Sequence, residues 1–178
     1  MHFAQSVVAA ALMATATQAA DLATSAGSMR ITPIVEGLTE PWAIGFLPGE
    51  EILVTERSGR LLLIRDGVPS LVSGTPEVFA QGQGGLLDVM VPSDFAQSRE
   101  VWLSFAAATG SGAATAAGVG RLSPDGDRLQ EFRTVFLGEP YRGGNHFGSR
   151  LVEMPDAAVA QTTGDRGTGP RGMQAQDP

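Results

Sequence analysis

The chain has 178 residues, 23 glycines, 11 prolines, no cysteine and a formal charge of −7, the composition of an acidic, loop-rich globular protein of one domain at most. Its twelve cationic residues are all arginine, so a Walker-type lysine and a Schiff-base lysine are excluded; the lack of cysteine excludes thiolate nucleophiles, disulfides and Cys-based zinc sites. An acidic chain of this kind is not a nucleic-acid binder, and its chemistry rests on Asp, Glu, His, Arg, Gln, Tyr and hydroxyls.

Residues 1–20 read as a secretory leader, with an apolar run from Val7 to about Ala16 and small residues for cleavage near Ala19 or Ala20. That run is shorter than the roughly 20 residues a membrane span needs, so the reading predicts a periplasmic or secreted protein with no membrane span after cleavage. Residues 21–30, "DLATSAGSMR", are small and polar and read as a linker, with structure beginning near Ile31.

From residue 31 onward, short apolar runs are separated by turn signals: "WAIGFLP", "EILVTER", "RLLLIRDG", "LLDVMVP", "VWLSFAA", "VGRLSPDG" and "EFRTVFLG". Runs of this length, rich in Val, Ile, Leu, Phe and Trp and bounded by Gly, Pro and Asp, predict strands, and no stretch holds a helical period, so the fold class is all-β. An apolar strand ending in proline recurs at Pro48, Pro92 and Pro155, each followed by a polar turn and a second strand. Such spacing suits four-stranded propeller blades, with a sandwich or barrel as the alternative. As a propeller, residues 31–178 supply about three blades, fewer than the four to eight of a closed ring.

Three further readings concern single residues. Trp42 and Trp102 lie in strand-like runs and are expected in the core. Asp88 reads as a strand or turn carboxylate. "AAVAQTT", residues 157–163, has one branched aliphatic residue and makes a poor strand.

The candidate chemistry gathers around His146, one of two histidines in the chain, flanked by glycines that permit unusual backbone angles or the approach of a flat ligand. "GQGGLL" lacks the third glycine and the βαβ setting of a dinucleotide loop.

In order and spacing, "GLTEPWAIGFLPGEEILVTERSGRLLLIRDG", "GQGGLLDVMVPSDFAQSREVWLSFA", "HFGSRLV", "TTGDRG" and "AQD" resemble the soluble pyrroloquinoline quinone (PQQ)-dependent sugar dehydrogenases, the glucose/sorbosone dehydrogenase family. The resemblance implies a six-bladed β-propeller, of which this chain is the N-terminal portion, and oxidation of the anomeric carbon of an aldose to a lactone, with PQQ taking the electrons and an external acceptor receiving them. It implies His146 as general base, Asp165 as the carboxylate that pairs with it, and Gln83 near substrate and quinone. It also implies calcium, with ligands expected beyond residue 178 and none within this chain.

The residues suit those roles chemically. Imidazole, with an ordinary pKa of about 6.5, can take a hydroxyl proton at neutral pH, and a carboxylate on its far nitrogen fixes the tautomer. One strand, a turn and a return strand fit between positions 146 and 165, placing both at the same end of a hairpin. Gln83 can donate and accept hydrogen bonds, the Asn145 amide can meet a sugar hydroxyl, and Arg150 can pair either with a cofactor carboxylate or with a buried acid of the protein. Two other functions fit the composition: a non-catalytic truncated propeller offering a binding surface, and a metal-dependent lactonase, for which no Glu/Asp/Asn cluster is evident. A propeller without its remaining blades leaves sheet faces and edges uncovered, which predicts poor folding or association.

Overall fold

The computed structural model describes residues 20–166, so the leader reading, Ala20 apart, and the "AQD" motif lie outside the described residues. The chain divides into two compact units, residues 1–34 and 35–178.

In the first unit, β1 (Ala20–Thr24) and β2 (Gly27–Ile31) form an antiparallel hairpin. This corrects the reading of residues 21–30 as a linker. The stretch has no apolar run to signal a strand, but it has turn chemistry: Thr24 Oγ1 donates to Gly27 O at 2.7 Å and accepts from Ala26 N at 3.2 Å. Arg30 Nε pairs with Asp21 Oδ1 across the strands at 3.2 Å. Nearly every residue of the hairpin is exposed, so the backbone ladder rather than burial defines it.

The second unit is built of antiparallel meanders. β3 (Pro41–Phe46), β4 (Ile52–Glu56), β5 (Leu61–Arg65) and β6 (Val68–Val72) form one four-stranded sheet in sequence order. β7 (Leu86–Met90), β8 (Glu100–Thr109), β9 (Gly112–Leu122) and β10 (Leu129–Leu137) form a second, and β11 (Gly148–Glu153) pairs with β12 (Val159–Thr163) in a two-stranded hairpin. Turn residues set the connections: Asp66 and Gly67, with φ of 49° and 76°, make the two-residue turn whose twist matches the flanking strands, pairing Arg65 with Val68. A single helical turn, α1 (Phe95–Ser98), joins β7 to β8 and buries Phe95. Among the described residues no helix is long and apolar enough to cross a membrane.

The repeated four-stranded meander is the propeller-blade arrangement, and burial shows why the sheets stack. β4 is buried at every position and β5 at all but its last, so both faces of the first sheet need cover. On one face Leu53, Leu61, Leu63 and Val72 share a core with Leu86, Val89, Val101, Leu103 and Phe105 of the second sheet. On the other, Ile52, Val54, Leu62 and Ile64 pack with Val35 and Leu38. At the margin of that second cluster, Trp42, Ile44 and Phe46 of β3 stand 45%, 54% and 74% exposed. Trp42 is therefore not a core residue as expected; it occupies the face of β3 opposite Ala43 and Leu47, which are the buried ones. Trp102 is half-buried and lines an apolar groove with Val135, Phe136, Leu151 and Val159.

Strand β9 runs longer than the "VGRL" segment that sequence pattern marked. Its first half is Ala- and Gly-rich, a poor strand by propensity. Close packing requires small residues along the strand: a side chain on Gly112 would collide with Tyr141 O and one on Gly118 with the Phe132 ring, which lies 6.1 Å from Phe105. The "AAVAQTT" segment likewise forms a strand, β12, because its ladder with β11 and its side chains' partners supply what apolarity does not; Thr162 Oγ1 accepts from Arg150 N at 2.9 Å.

Asp88 ties the second sheet to this hairpin. It is buried on β7, accepting Arg150 Nη1 on Oδ1 at 2.6 Å and Leu151 N on Oδ2 at 2.7 Å. Removing a carboxylate that satisfies a buried amide and an arginine costs about 3 kcal/mol. Asp88→Ala is expected to lower the urea midpoint by that energy divided by the slope, with the slope itself unchanged, and Asp88→Asn, which keeps an acceptor for Leu151 N, to lower it less; equal midpoints for Asp88→Ala and the parent would show the tie to be dispensable.

Candidate functional site

Three segments meet at one end of the second sheet and the β11–β12 hairpin: residues 81–85 leading into β7, residues 142–147 leading into β11, and residues 164–166 leaving β12. The first two are joined by Gln83 N donating to Gly144 O at 2.6 Å and by His146 N donating to Gln83 Oε1 at 2.8 Å. Their approach needs glycine: a Cβ on Gly82 would stand 2.5 Å from Gly144 O. The register of β11 on β12, with Gly148 opposite Thr163, then sets residue 146 beside residue 165.

His146 Nδ1 lies 2.6 Å from Asp165 Oδ1. Both side chains are about half exposed, 49% and 46%. A neutral imidazole donates from Nδ1 to the carboxylate and so carries its lone pair on Nε2. The backbone of His146 is left-handed, φ 52°, a conformation that a non-glycine residue adopts at a cost of about 1–3 kcal/mol and keeps only where its surroundings impose it. Several contacts do so here. Gln83 takes the amide of His146; Gly164 lies so close that any side chain there would meet His146 O; and Phe147, next in the chain, is buried with Leu87, Ala106 and Ala113, its carbonyl accepting Thr115 Oγ1 at 2.5 Å.

Of the residues singled out by sequence, His146, Asp165 and Gln83 are thus brought together. Gln83 gives its carbonyl oxygen to His146 N, so its amide nitrogen is the group it can offer a ligand. Asn145 is exposed beside His146. Arg150 takes the second of the two partners open to it: Nη1 is held by buried Asp88, while the side chain as a whole is 64% exposed.

Two arginines in the site carry no signal in the sequence pattern. Arg57 donates Nη1 to Gly82 O and Gly84 O at 2.9 and 3.2 Å, and pairs through Nε and Nη2 with Glu40 Oε1, bracing the 81–85 loop from the first sheet. Arg166 lies over the Phe147 ring, Cζ 3.6 Å from its centroid, and donates Nη2 to Gly143 O at 3.2 Å; burial draws its guanidinium below the ordinary arginine range. Only the adjacency of Arg166 to Asp165 in "GDRG" could have drawn attention to it.

The residues present fit a flat quinone in kind. A side chain on Gly143 would meet nothing within 4 Å, so this backbone leaves room for a planar ring, and the Gln83 and Asn145 amides match carbonyl and hydroxyl oxygens. For a carboxylate the site offers Arg150, already partly engaged by Asp88. Among the described residues no three His, Asp or Glu side chains come together as metal ligands.

Residues 38–178 match the family model described as glucose/sorbosone dehydrogenase. The chain is 45% identical over 130 residues to the aldose sugar dehydrogenase YliI of Escherichia coli, covering 70% of this chain and 35% of that protein. Among solved structures, the apo-form of the soluble aldose sugar dehydrogenase from Escherichia coli aligns with a TM-score of 0.69 at 43% identity, over 75% of this chain and 40% of that one. The PQQ-bound aldose sugar dehydrogenase of Streptomyces coelicolor aligns with a TM-score of 0.65 at 28% identity, over 78% and 42%. The chain thus spans well under half the length of each relative. With its ordered motifs, stacked four-stranded sheets and matching residues from 38 onward, it belongs to the glucose/sorbosone dehydrogenase family.

Proposed function

We propose that this chain is the N-terminal portion of a periplasmic or secreted aldose dehydrogenase in which His146 accepts the proton of the anomeric hydroxyl as the sugar is oxidised to its lactone. The observation that carries the reading is the 2.6 Å contact between His146 Nδ1 and Asp165 Oδ1, which leaves Nε2 as a base.

As the C–H bond breaks, the O–H proton passes to Nε2 and the C=O bond of the lactone forms. PQQ, when bound, supplies the acceptor for the hydride that leaves the carbon. The charge that develops on the imidazole is stabilised by Asp165, and Gln83 holds the backbone of the base while its amide nitrogen remains for a substrate or quinone oxygen. Arg150 offers the guanidinium edge not taken by Asp88 to a carboxylate. Calcium ligands are expected beyond residue 178, and the electrons leave to an external acceptor.

A second reading is favoured by the exposed Trp42, Ile44 and Phe46: the chain alone is a non-catalytic propeller portion whose uncovered face binds a partner. Gel filtration after incubation with PQQ and Ca²⁺ separates the two, because retained quinone absorbance supports the cofactor site and its loss supports the binding module.

In a chain continued to the length of its relatives and loaded with PQQ and Ca²⁺, aldose-dependent dye reduction is expected to fall roughly 10²–10⁴-fold in kcat for His146→Ala; turnover that survives this change would overturn the mechanism. Asp165→Asn is expected to lower kcat by a comparable, smaller factor with little change in KM for the sugar, because it disturbs tautomer and charge rather than binding. A change confined to KM would assign Asp165 to substrate binding instead.

A further inference from the structure

Residue 166 directly follows the carboxylate that holds His146, and its side chain turns back over the same loop. Its guanidinium stacks on Phe147, one residue after His146, and bonds to the carbonyl of Gly143, three residues before it. The loop between those two attachments contains both left-handed positions, Gly143 at φ 118° and His146 at φ 52°. Nε and Nη1 of Arg166 are buried without a hydrogen-bond partner among the described residues. The group acts through its flat face and its charge, for which guanidinium is suited by being planar and weakly hydrated.

We propose that Arg166 is a positioning residue for His146: by stacking on Phe147 and bonding Gly143 O, it holds residues 143–147 so that Nδ1 stays on Asp165 and Nε2 presents the lone pair. Asp165 and Arg166 then grip one loop from two sides, the first through the imidazole and the second through the backbone around it. Lysine could reach Gly143 O but could not lie flat on the ring, so it supplies part of this function. The kinetic consequence rests on His146 being the proton acceptor; the placement of the imidazole does not.

The test reads the imidazole directly. The chain has two histidines, His2 and His146, so a long-range ¹H–¹⁵N correlation spectrum of histidine-labelled protein at about pH 9, where imidazole is ordinarily neutral, separates them. The parent is expected to show His146 as the Nδ1–H tautomer. Arg166→Ala is expected to shift it toward Nε2–H with the amide spectrum of the two four-stranded sheets unchanged, and Arg166→Lys to restore part of the Nδ1–H form. A folded Arg166→Ala protein that keeps the parent tautomer overturns the proposal. Should that variant unfold, Arg166→Gln, which keeps a donor for Gly143 O but loses the charged stack, carries the same readout with the same deciding outcomes. In the PQQ- and Ca²⁺-loaded dehydrogenase, Arg166→Ala is expected to lower kcat about tenfold at unchanged KM. A tautomer shift in a protein whose parent oxidises no aldose overturns the proposed reaction and supports the positioning role; an active parent whose folded Arg166→Ala form keeps both tautomer and kcat overturns the positioning role alone.

Discussion

A strand that is apolar on both faces has to be covered on both, and β4 and β5 impose that condition on the structure from residue 35 onward. One face is closed by Leu86, Val101 and Leu103 of the second sheet. The second sheet must in turn meet β11 on another side, where Asp88 satisfies Leu151 N and Arg150. Stacking of this kind aligns the first strands of successive sheets, so the loops that enter β7 and β11 reach the same end. The candidate site is a product of that alignment: Gln83 of the 81–85 loop donates its amide to Gly144 O and takes His146 N on its side chain, so the two loops are joined at both groups.

The imidazole at the centre is thereby held in a backbone conformation it would not choose. An exposed loop with a left-handed histidine relaxes unless its neighbours forbid it. Here they forbid it through an amide bonded to Gln83, a buried ring at Phe147, the close backbone of Gly164 and the stacked guanidinium of Arg166. The precision that the proposed proton transfer needs, an acceptor within hydrogen-bond reach of one particular hydroxyl, would come from these supports more than from the histidine itself. That explains why a site with so few catalytic side chains is surrounded by so many glycines. They let backbone segments touch.

How much of this was legible in sequence depended on the kind of interaction. The pairing of His146 with Asp165 came from the resemblance of "HFGSRLV" and "TTGDRG" to the family, and the nineteen residues between them fit a hairpin that returns the chain to its start. The strands rich in branched residues were readable from their short apolar runs bounded by turn residues. β1 and β2 were not, since a ladder between exposed, small residues has no hydrophobic pattern; nor was β9, where Gly112 lets the Tyr141 backbone approach and Gly118 makes room for the Phe132 ring. Trp42 was misplaced because an aromatic residue in an alternating strand can face either side, and only the register of Ala43 and Leu47 decides which. Arg57 and Arg166 were invisible because their partners are carbonyls and a ring, which leave no charge pattern along the chain.

The distribution of cations follows from the same packing. The protein carries twelve arginines against nineteen acids, and three of those near the site are occupied with the protein, Arg57 with Glu40 and two carbonyls, Arg150 with Asp88, Arg166 with Phe147 and Gly143, while Arg142 at the start of the 142–147 segment is exposed. Arginine suits each role because its charge survives burial and its plane admits several contacts at once; lysine, a compact and strongly hydrated charge, would satisfy each of the three geometries only in part. An anionic quinone approaching this surface would find Arg150 partly available, two amides and a base. On the proposed reading these residues handle the proton, and the arginines keep the group that takes it in place.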